Sequence, residues 1–243
     1  MLRTKFKALI AAFAMVAGIG SAQAVPTTAL YLAMDGSGSI TTTDFTTQVN
    51  AYTSALNNFF TSNPTAFGQV AIGGSVFGAT IFQFSALNTI DNAGDLAALT
   101  GAISALDPGR GGINTGATAI GNAIQAAANA LVAFETAQGG GLRLVIDVTT
   151  DGLNNTGLDP LNVANNVTPS PIDAVNCLGI GAGASCAFVA GAGTNFGIVS
   201  FNTLAAALES KIRLEVTGVP EPTSLALLAL ALVGLGFMRR RAA

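Results

Sequence analysis

The sequence predicts an α/β protein built on an open, mostly parallel β-sheet with helices on both faces. Three observations predict it. Residues 29–34, 142–148 and 174–180 are short, almost wholly apolar runs, the pattern of strands buried on both sides. Segments with apolar residues at helical spacing alternate with these runs, which argues for parallel strands joined by crossover helices. The polar residues able to carry chemistry cluster directly after two of the runs, where ligands sit in sheets of this kind.

Taken in order, the chain opens with Arg3, Lys5 and Lys7, an apolar run over residues 8–20, and Ala22-Gln23-Ala24. This three-part layout predicts a secretory signal peptide over residues 1–24, cleaved before Val25. After the strand at 29–34, Thr41, Thr42, Thr43 and Asp44 offer capping oxygens and a first-turn carboxylate. The helix that follows carries Phe45, Val49, Tyr52, Leu56, Phe59 and Phe60 on one side, and Pro64 closes it. Residues 70–76 and 80–84 read as a hairpin turning at Gly78. Leu96, Leu99, Ile103 and Leu106 mark a helix over about 93–106, ended by Asp107-Pro108-Gly109. A glycine-rich loop leads into the longest expected helix, about 117–137. The strand at 142–148, a third strand at 174–180 and a last helix at 202–213 complete the domain. The glycines at 179, 181, 183, 191 and 193 lack a following Lys-Ser/Thr and read as turns, not as a phosphate cradle.

At the C-terminus Pro220-Glu221-Pro222 breaks any preceding helix, an apolar run over 225–238 follows, and Arg239, Arg240 and Arg241 close it. That run is short for a membrane span, but the arginines supply a cytoplasmic stop.

Composition removes whole classes of function. The 243 residues are 50% hydrophobic and 9% charged, and include no histidine. Without imidazole there is no Ser-His-Asp or Cys-His relay, no His-containing zinc site and no histidine pH switch. Six of the ten bases lie in the two ends. Residues 25–219 keep Arg110, Arg143, Lys211 and Arg213 against twelve acids, a net charge of −8. An acidic domain with no basic stripe is not expected to bind nucleic acid.

The chemistry is expected in two loops. Asp35-Gly36-Ser37-Gly38-Ser39 follows the first strand, and oxygen groups at alternate positions, separated by glycines, can converge on one hard cation. Thr149-Thr150-Asp151-Gly152 puts a second carboxylate at another strand end, and the loop 109–117 leads to a hydroxyl at Thr118. Asp147, inside a strand and four residues after Arg143, reads as a structural carboxylate paired with Arg143 or bonded to a neighbouring loop. Cys177 and Cys186, nine positions apart in an exported chain, read as a disulfide that staples a glycine-rich loop.

Asp-x-Ser-x-Ser, a loop threonine and Thr-Asp-Gly, in this order and at strand ends, resemble the metal-ion-dependent adhesion site (MIDAS) of von Willebrand factor A (VWA) domains, over about residues 28–215. The resemblance implies the Rossmann-like VWA fold for a domain at 25–217, and a divalent ion bound by Asp35, Ser37, Ser39, Thr118 and Asp151. Thr118 fits the family's Thr-x-x-Gly-x-Ala-aliphatic pattern and Thr115 is the alternative. Thr118-Ala119-Ile120-Gly121, and Asp151-Gly152 with Asn154-Asn155, also resemble a bacterial subgroup of exported A-like domains. The ion is expected to be Mg²⁺ or Mn²⁺ ahead of Ca²⁺, with one position open to a carboxylate from a protein or anionic glycan.

Pro220-Glu221-Pro222 with its apolar run and basic tail resembles the PEP-CTERM sorting signal, here 218–243. It implies export, transient anchoring in the inner membrane, and cleavage by an exosortase-type enzyme, ending in the envelope or in release. A non-enzymatic adhesion or binding protein is expected. The alternatives are a structural surface or biofilm-matrix component and an exported hydrolase. Hydrolysis would need a positioned base or nucleophile near the ion, and the mature segment offers no histidine and only Lys211 as a lysine.

Overall fold

The computed structural model describes residues 26–217. The signal peptide at 1–24, and the sorting signal at 218–243 with Pro220, Glu221, Pro222 and the membrane segment, lie outside the described residues. Among the described residues no helix is long and apolar enough to cross a membrane.

The central strand β1 (Thr28–Asp35) is parallel to β2 (Val70–Phe77) on one side and to β4 (Arg143–Thr150) on the other. An antiparallel β3 (Ile81–Thr89) closes one edge beside β2, and β5 (Ala174–Ile180) extends the sheet beyond β4. Two short strands that the apolar pattern does not announce, β6 (Ala190–Gly191) and β7 (Asn195–Val199), both pair with β5. The order β3-β2-β1-β4-β5 reverses direction between β1 and β4, so the crevice beyond their carboxyl ends is the switch point where such sheets take ligands.

Side chains alternate across β1 and so feed two cores. Leu30, Leu32 and Met34 join Phe45, Leu56 and Phe59 of α1 (Thr42–Ser62), Leu99 and Ile103 of α2 (Ala93–Ser104), and Leu208 and Ile212 of α5 (Leu204–Thr217). Ala29, Tyr31 and Ala33 face the other way, with Ala123, Ile124 and Ala127 of α3 (Ile120–Gln138) and Val163 and Val167 of α4 (Pro160–Val167). Burying each large apolar side chain contributes about 1.5–3 kcal/mol, so these two cores are the main source of the fold's stability. Thr41 caps α1 as expected, accepting from Asp44 N–H.

Two expectations change. The helix expected to be the longest, α3, has 19 residues against 21 for α1, and it begins at Ile120, not near 117, so Thr118 lies in the loop before it. Its N-cap, Ala119, has no capping side chain. Instead Asn154 Oδ1, from the loop after β4, accepts from Gly121 N–H at 3.3 Å, so a tertiary contact replaces the local cap. No element is predicted between the strands at 142–148 and 174–180, yet α4 occupies that stretch. In the structure Asp159 caps it, accepting from Asn162 N–H, and Pro160 occupies the first turn, where its missing N–H costs nothing.

Candidate metal centre

Two positions of the loop after β1 are packed so closely that a side chain there would collide with its neighbours. A Cβ on Gly36 would stand 2.6 Å from Val76 Cγ2, and one on Gly38 would stand 3.0 Å from the Thr115 carbonyl oxygen. Gly36 N–H donates to the Phe77 carbonyl and Gly38 N–H to the Thr115 carbonyl, at 2.7 and 2.8 Å. The loop is therefore pinned between β2 and the segment that precedes α3.

That pinning gathers four of the five expected ligands. Asp35, fully buried, accepts Ser37 N–H on Oδ1 at 2.8 Å. Ser37 Oγ and Ser39 Oγ share a hydrogen bond of 3.0 Å, and Ser39 Oγ donates to Asp151 Oδ1 at 2.7 Å. Burial grades outward, from Asp35 and Ser37 inside to a half-buried Asp151 and an exposed Ser39. The result is a chain of oxygens that opens to solvent at one end.

Thr118 is brought to the same crevice but not into this hydrogen-bonded chain. It is buried, its N–H donates to Asn155 Oδ1 at 2.8 Å, and its carbonyl accepts from Asn155 N–H at 3.0 Å. Thr115, half-buried, touches the serine loop through its carbonyl at Gly38. Among the described residues no three His, Cys, Asp or Glu side chains gather. The donor set here is two carboxylates with neutral hydroxyls, a combination suited to hard cations.

Both carboxyls are pushed above the ordinary aspartate range, chiefly by loss of water. For Asp35, hydrogen bonds from Thr150 and Ser37 work against that rise and the charge of Asp151 adds to it. For Asp151, the Ser39 hydrogen bond opposes the rise, Asp44 adds to it and Arg110 counters it. Two carboxylates that resist ionising beside each other are a place where a divalent charge is favoured.

Three supporting residues were not singled out from sequence. Thr150 donates its hydroxyl to Asp35 Oδ2 at 2.6 Å. Gln48 of α1, fully buried, donates Nε2 to the Asp35 carbonyl at 2.8 Å. Arg110 is the most informative. Its guanidinium donates from Nη1 to the carbonyls of Gly36 and Ser37 and from Nη2 to that of Ile40, at 2.7, 2.7 and 2.6 Å, and lies 4.8 Å from the Phe45 ring centroid. Its backbone sits at φ 51°, a left-handed position that a non-glycine residue rarely takes. The signal was present as the one base within a neutral, glycine-rich loop. The Cys177–Cys186 bond is formed, with Cα atoms 5.5 Å apart, and ties β5 to the loop that passes Gly152, where Ser185 N–H donates to the Gly152 carbonyl.

A sequence profile of the family described as "Protein of unknown function (DUF1194)" matches residues 24–220. The chain belongs to that family. The PEP-CTERM protein-sorting motif matches residues 218–241, which marks this family member for export and association with the cell envelope. No curated protein matches the sequence. Among solved structures, proximal thread matrix protein 1 from the mussel byssus aligns with TM-score 0.59 at 20% identity, over 79% of this chain and 49% of that one. The chain thus spans about half the length of the mussel protein. The manganese-loaded TRAP protein of Plasmodium vivax aligns with TM-score 0.54 at 19% identity, over 76% and 73% of the two chains. The pilus adhesin SpaC from Lactobacillus rhamnosus GG aligns with TM-score 0.55 at 16% identity, over 80% and 30%. A further structure of the mussel protein has a zinc-occupied MIDAS motif. At these identities the likeness establishes the fold, and the fold is the VWA fold.

Proposed function

We propose that this chain is an exported, non-enzymatic binding protein that holds Mg²⁺ or Mn²⁺ at Asp35, Ser37, Ser39, Thr118 and Asp151, and docks an acidic group of a protein or anionic glycan on the ion. The observation that carries the reading is the hydrogen-bonded run Asp35–Ser37–Ser39–Asp151 at the switch point of the sheet, two carboxylates and two hydroxyls drawn from loops 112 residues apart. Metals carried by structural neighbours of the same fold support a divalent ion.

When bound, the ion supplies a Lewis-acid position that accepts an anionic oxygen from outside. The chain's own residues do the rest. Ser37 and Ser39 contribute neutral oxygens, so the two carboxylates leave the site able to attract a third. Asp35 is held by Thr150 and by Ser37 N–H, and Asp151 stands at the solvent-facing end where a partner must arrive. The rest of the domain is acidic, so an acidic partner is repelled everywhere except at the cation. Removal of residues 1–24 and cleavage near Pro220-Glu221-Pro222 by an exosortase-type enzyme, after transient anchoring in the inner membrane, would deliver the 25–217 domain to the envelope or the medium.

The test is thermal unfolding with and without the ion. Binding to the folded state alone adds about 2.7 kcal/mol at a hundredfold excess over Kd. Millimolar Mg²⁺ or Mn²⁺ raises Tm relative to EDTA, and Asp35→Ala removes the shift. Identical melting curves in EDTA and in Mg²⁺ would end the proposal. A pull-down from envelope extract in Mg²⁺, repeated in EDTA, then identifies the partner as the band lost on chelation.

A further inference from the structure

On the face of the sheet covered by α1 and α5, three ionisable side chains are sealed from water. Lys211 of α5 is in ion-pair contact with Asp147 of β4, and Glu215, one turn further along α5, places Oε1 3.5 Å from Lys211 Nζ. All three side chains are fully buried. This replaces the expected partnership of Asp147 with Arg143, whose guanidinium instead donates to the Glu215 carbonyl. The expected pairing rested on spacing within one strand, whereas the last helix delivers a cation from 64 residues away.

The surroundings do not suit an ion pair. Among the described residues none donates a conventional hydrogen bond to either Asp147 oxygen, while the Phe196 ring lies 5.5 Å from Nζ. The apolar core on this face of the sheet includes Tyr52 of α1 and Leu208 and Ile212 of α5. Asp147 pairs across the sheet with Leu32 on one side and Asn176 on the other. A buried charge pair with unsatisfied lone pairs forfeits several kcal/mol of hydration per ion that Coulomb attraction returns only when the geometry is complete. Glu215, by contrast, is held in place: Asn176 Nδ2 donates to its Oε1 at 2.8 Å, and Asn176 is itself fixed by Thr194 N–H at 2.7 Å.

From this geometry we propose that Lys211 and Asp147 condense into an intramolecular isopeptide bond, with Glu215 as the proton-transfer group. The Lys211 amine attacks Cγ of the Asp147 carboxylic acid, and a C–N bond forms. The bond from Cγ to one carboxyl oxygen breaks, and that oxygen leaves as water on a proton from Glu215, which recovers one from the attacking nitrogen. An ammonium with a carboxylate holds the same atoms as an amine with a carboxylic acid, so one ion pair yields one amide and one water, with no oxidant or other reactant. Burial lowers the Lys211 ammonium to about 8 and raises the Glu215 carboxyl, so a neutral amine and a protonated acid are both within reach. The product is uncharged, which removes the desolvation cost of the pair.

The bond would matter where it lies. α5 ends at Thr217 and the sorting motif begins at residue 218, so a load on an envelope attachment enters the domain through α5. An amide from Lys211 to Asp147 ties that helix covalently to the centre of the sheet.

Tryptic digestion of the full-length protein, after reduction and alkylation, is the test. No Lys or Arg lies between Arg143 and Lys211. A linked chain resists cleavage after Lys211 and yields a closed fragment 144–213 lighter than its sequence by one water, with fragmentation placing the branch at Lys211 and Asp147. Asp147→Ala restores cleavage after Lys211. Glu215→Gln, folded by circular dichroism, leaves the pair unlinked. A wild-type fragment 144–211 of full mass would overturn the proposal, and a fully linked Glu215→Gln would overturn the role of Glu215.

Discussion

Arg110 donates from Nη1 to the Ser37 carbonyl at 2.7 Å, from a loop 73 residues further along the chain. With its bonds to Gly36 and Ile40, the guanidinium satisfies three carbonyls of the loop that carries Ser37 and Ser39. Arg110→Met strands those acceptors in a buried position. It is expected to destabilise the domain by at least about 2 kcal/mol, given the strength of hydrogen bonds from charged donors. It should also weaken Mn²⁺ binding at temperatures where the variant is still folded. Chemical denaturation in EDTA and a Mn²⁺ titration followed by electron paramagnetic resonance read the two effects separately, and unchanged Mn²⁺ affinity would show that the loop holds its shape without Arg110.

The raised Asp35 and Asp151 carboxyls give opposite pH dependences to the free and loaded protein. In EDTA, the folded state binds more protons than the unfolded state between the ordinary aspartate value and the raised folded one. These two groups therefore contribute stability below that window and lose it as pH rises through it. An ion held as proposed by Asp35 and Asp151 would require both carboxylates ionised, so the expected cation-induced increase in Tm appears as pH rises through the same window. Melting curves from pH 4 to pH 7 in EDTA and in Mg²⁺ should converge at the acid end. Asp35→Asn should flatten the EDTA curve.

Thr118 and Thr115 are separable by substitution. Thr118 is buried and locked on both backbone sides by Asn155, whereas Thr115 serves the loop through a carbonyl that any residue possesses. Thr118→Ala is expected to weaken Mn²⁺ binding several-fold and Thr115→Ala to leave it near wild type. The reverse order in the same titration would reassign the fifth ligand.

The Cys177–Cys186 bond closes a short loop, for which chain entropy gives about 2–3 kcal/mol. Replacing both cysteines by serine should lower Tm by roughly 5–10 °C for a domain of this size. Because the loop also passes Gly152, next to Asp151, the double variant is expected to lose part of its Mg²⁺-induced shift as well. Scanning calorimetry with and without Mg²⁺ checks both.

Much of the candidate site was legible because its parts are local. Asp35, Ser37 and Ser39 occupy one turn, and Asp151 follows an apolar run that could only be a buried strand. Thr150 and Gln48 were not legible, since a threonine in a strand and a glutamine on a helix are ordinary until Asp35 is seen between them. Asp147 shows the same limit more sharply. Its carboxyl was evident, its strand was right, and its partner was wrong, because periodicity places a residue on a face but does not say which helix covers that face.

What the sequence by itself determined is what can be encoded within a few residues: the apolar strands, the capped helix after Thr41, the turns at glycine, and the order of oxygen-bearing loops around a parallel sheet. Tertiary structure alone decided which charges meet. Lys211 against Asp147, and Arg110 behind Ser37, join elements separated by 64 and 73 residues. Such pairs are selected by how whole helices and loops pack over the sheet, and once chosen they are sealed from water, where an unpartnered charge is too costly to keep.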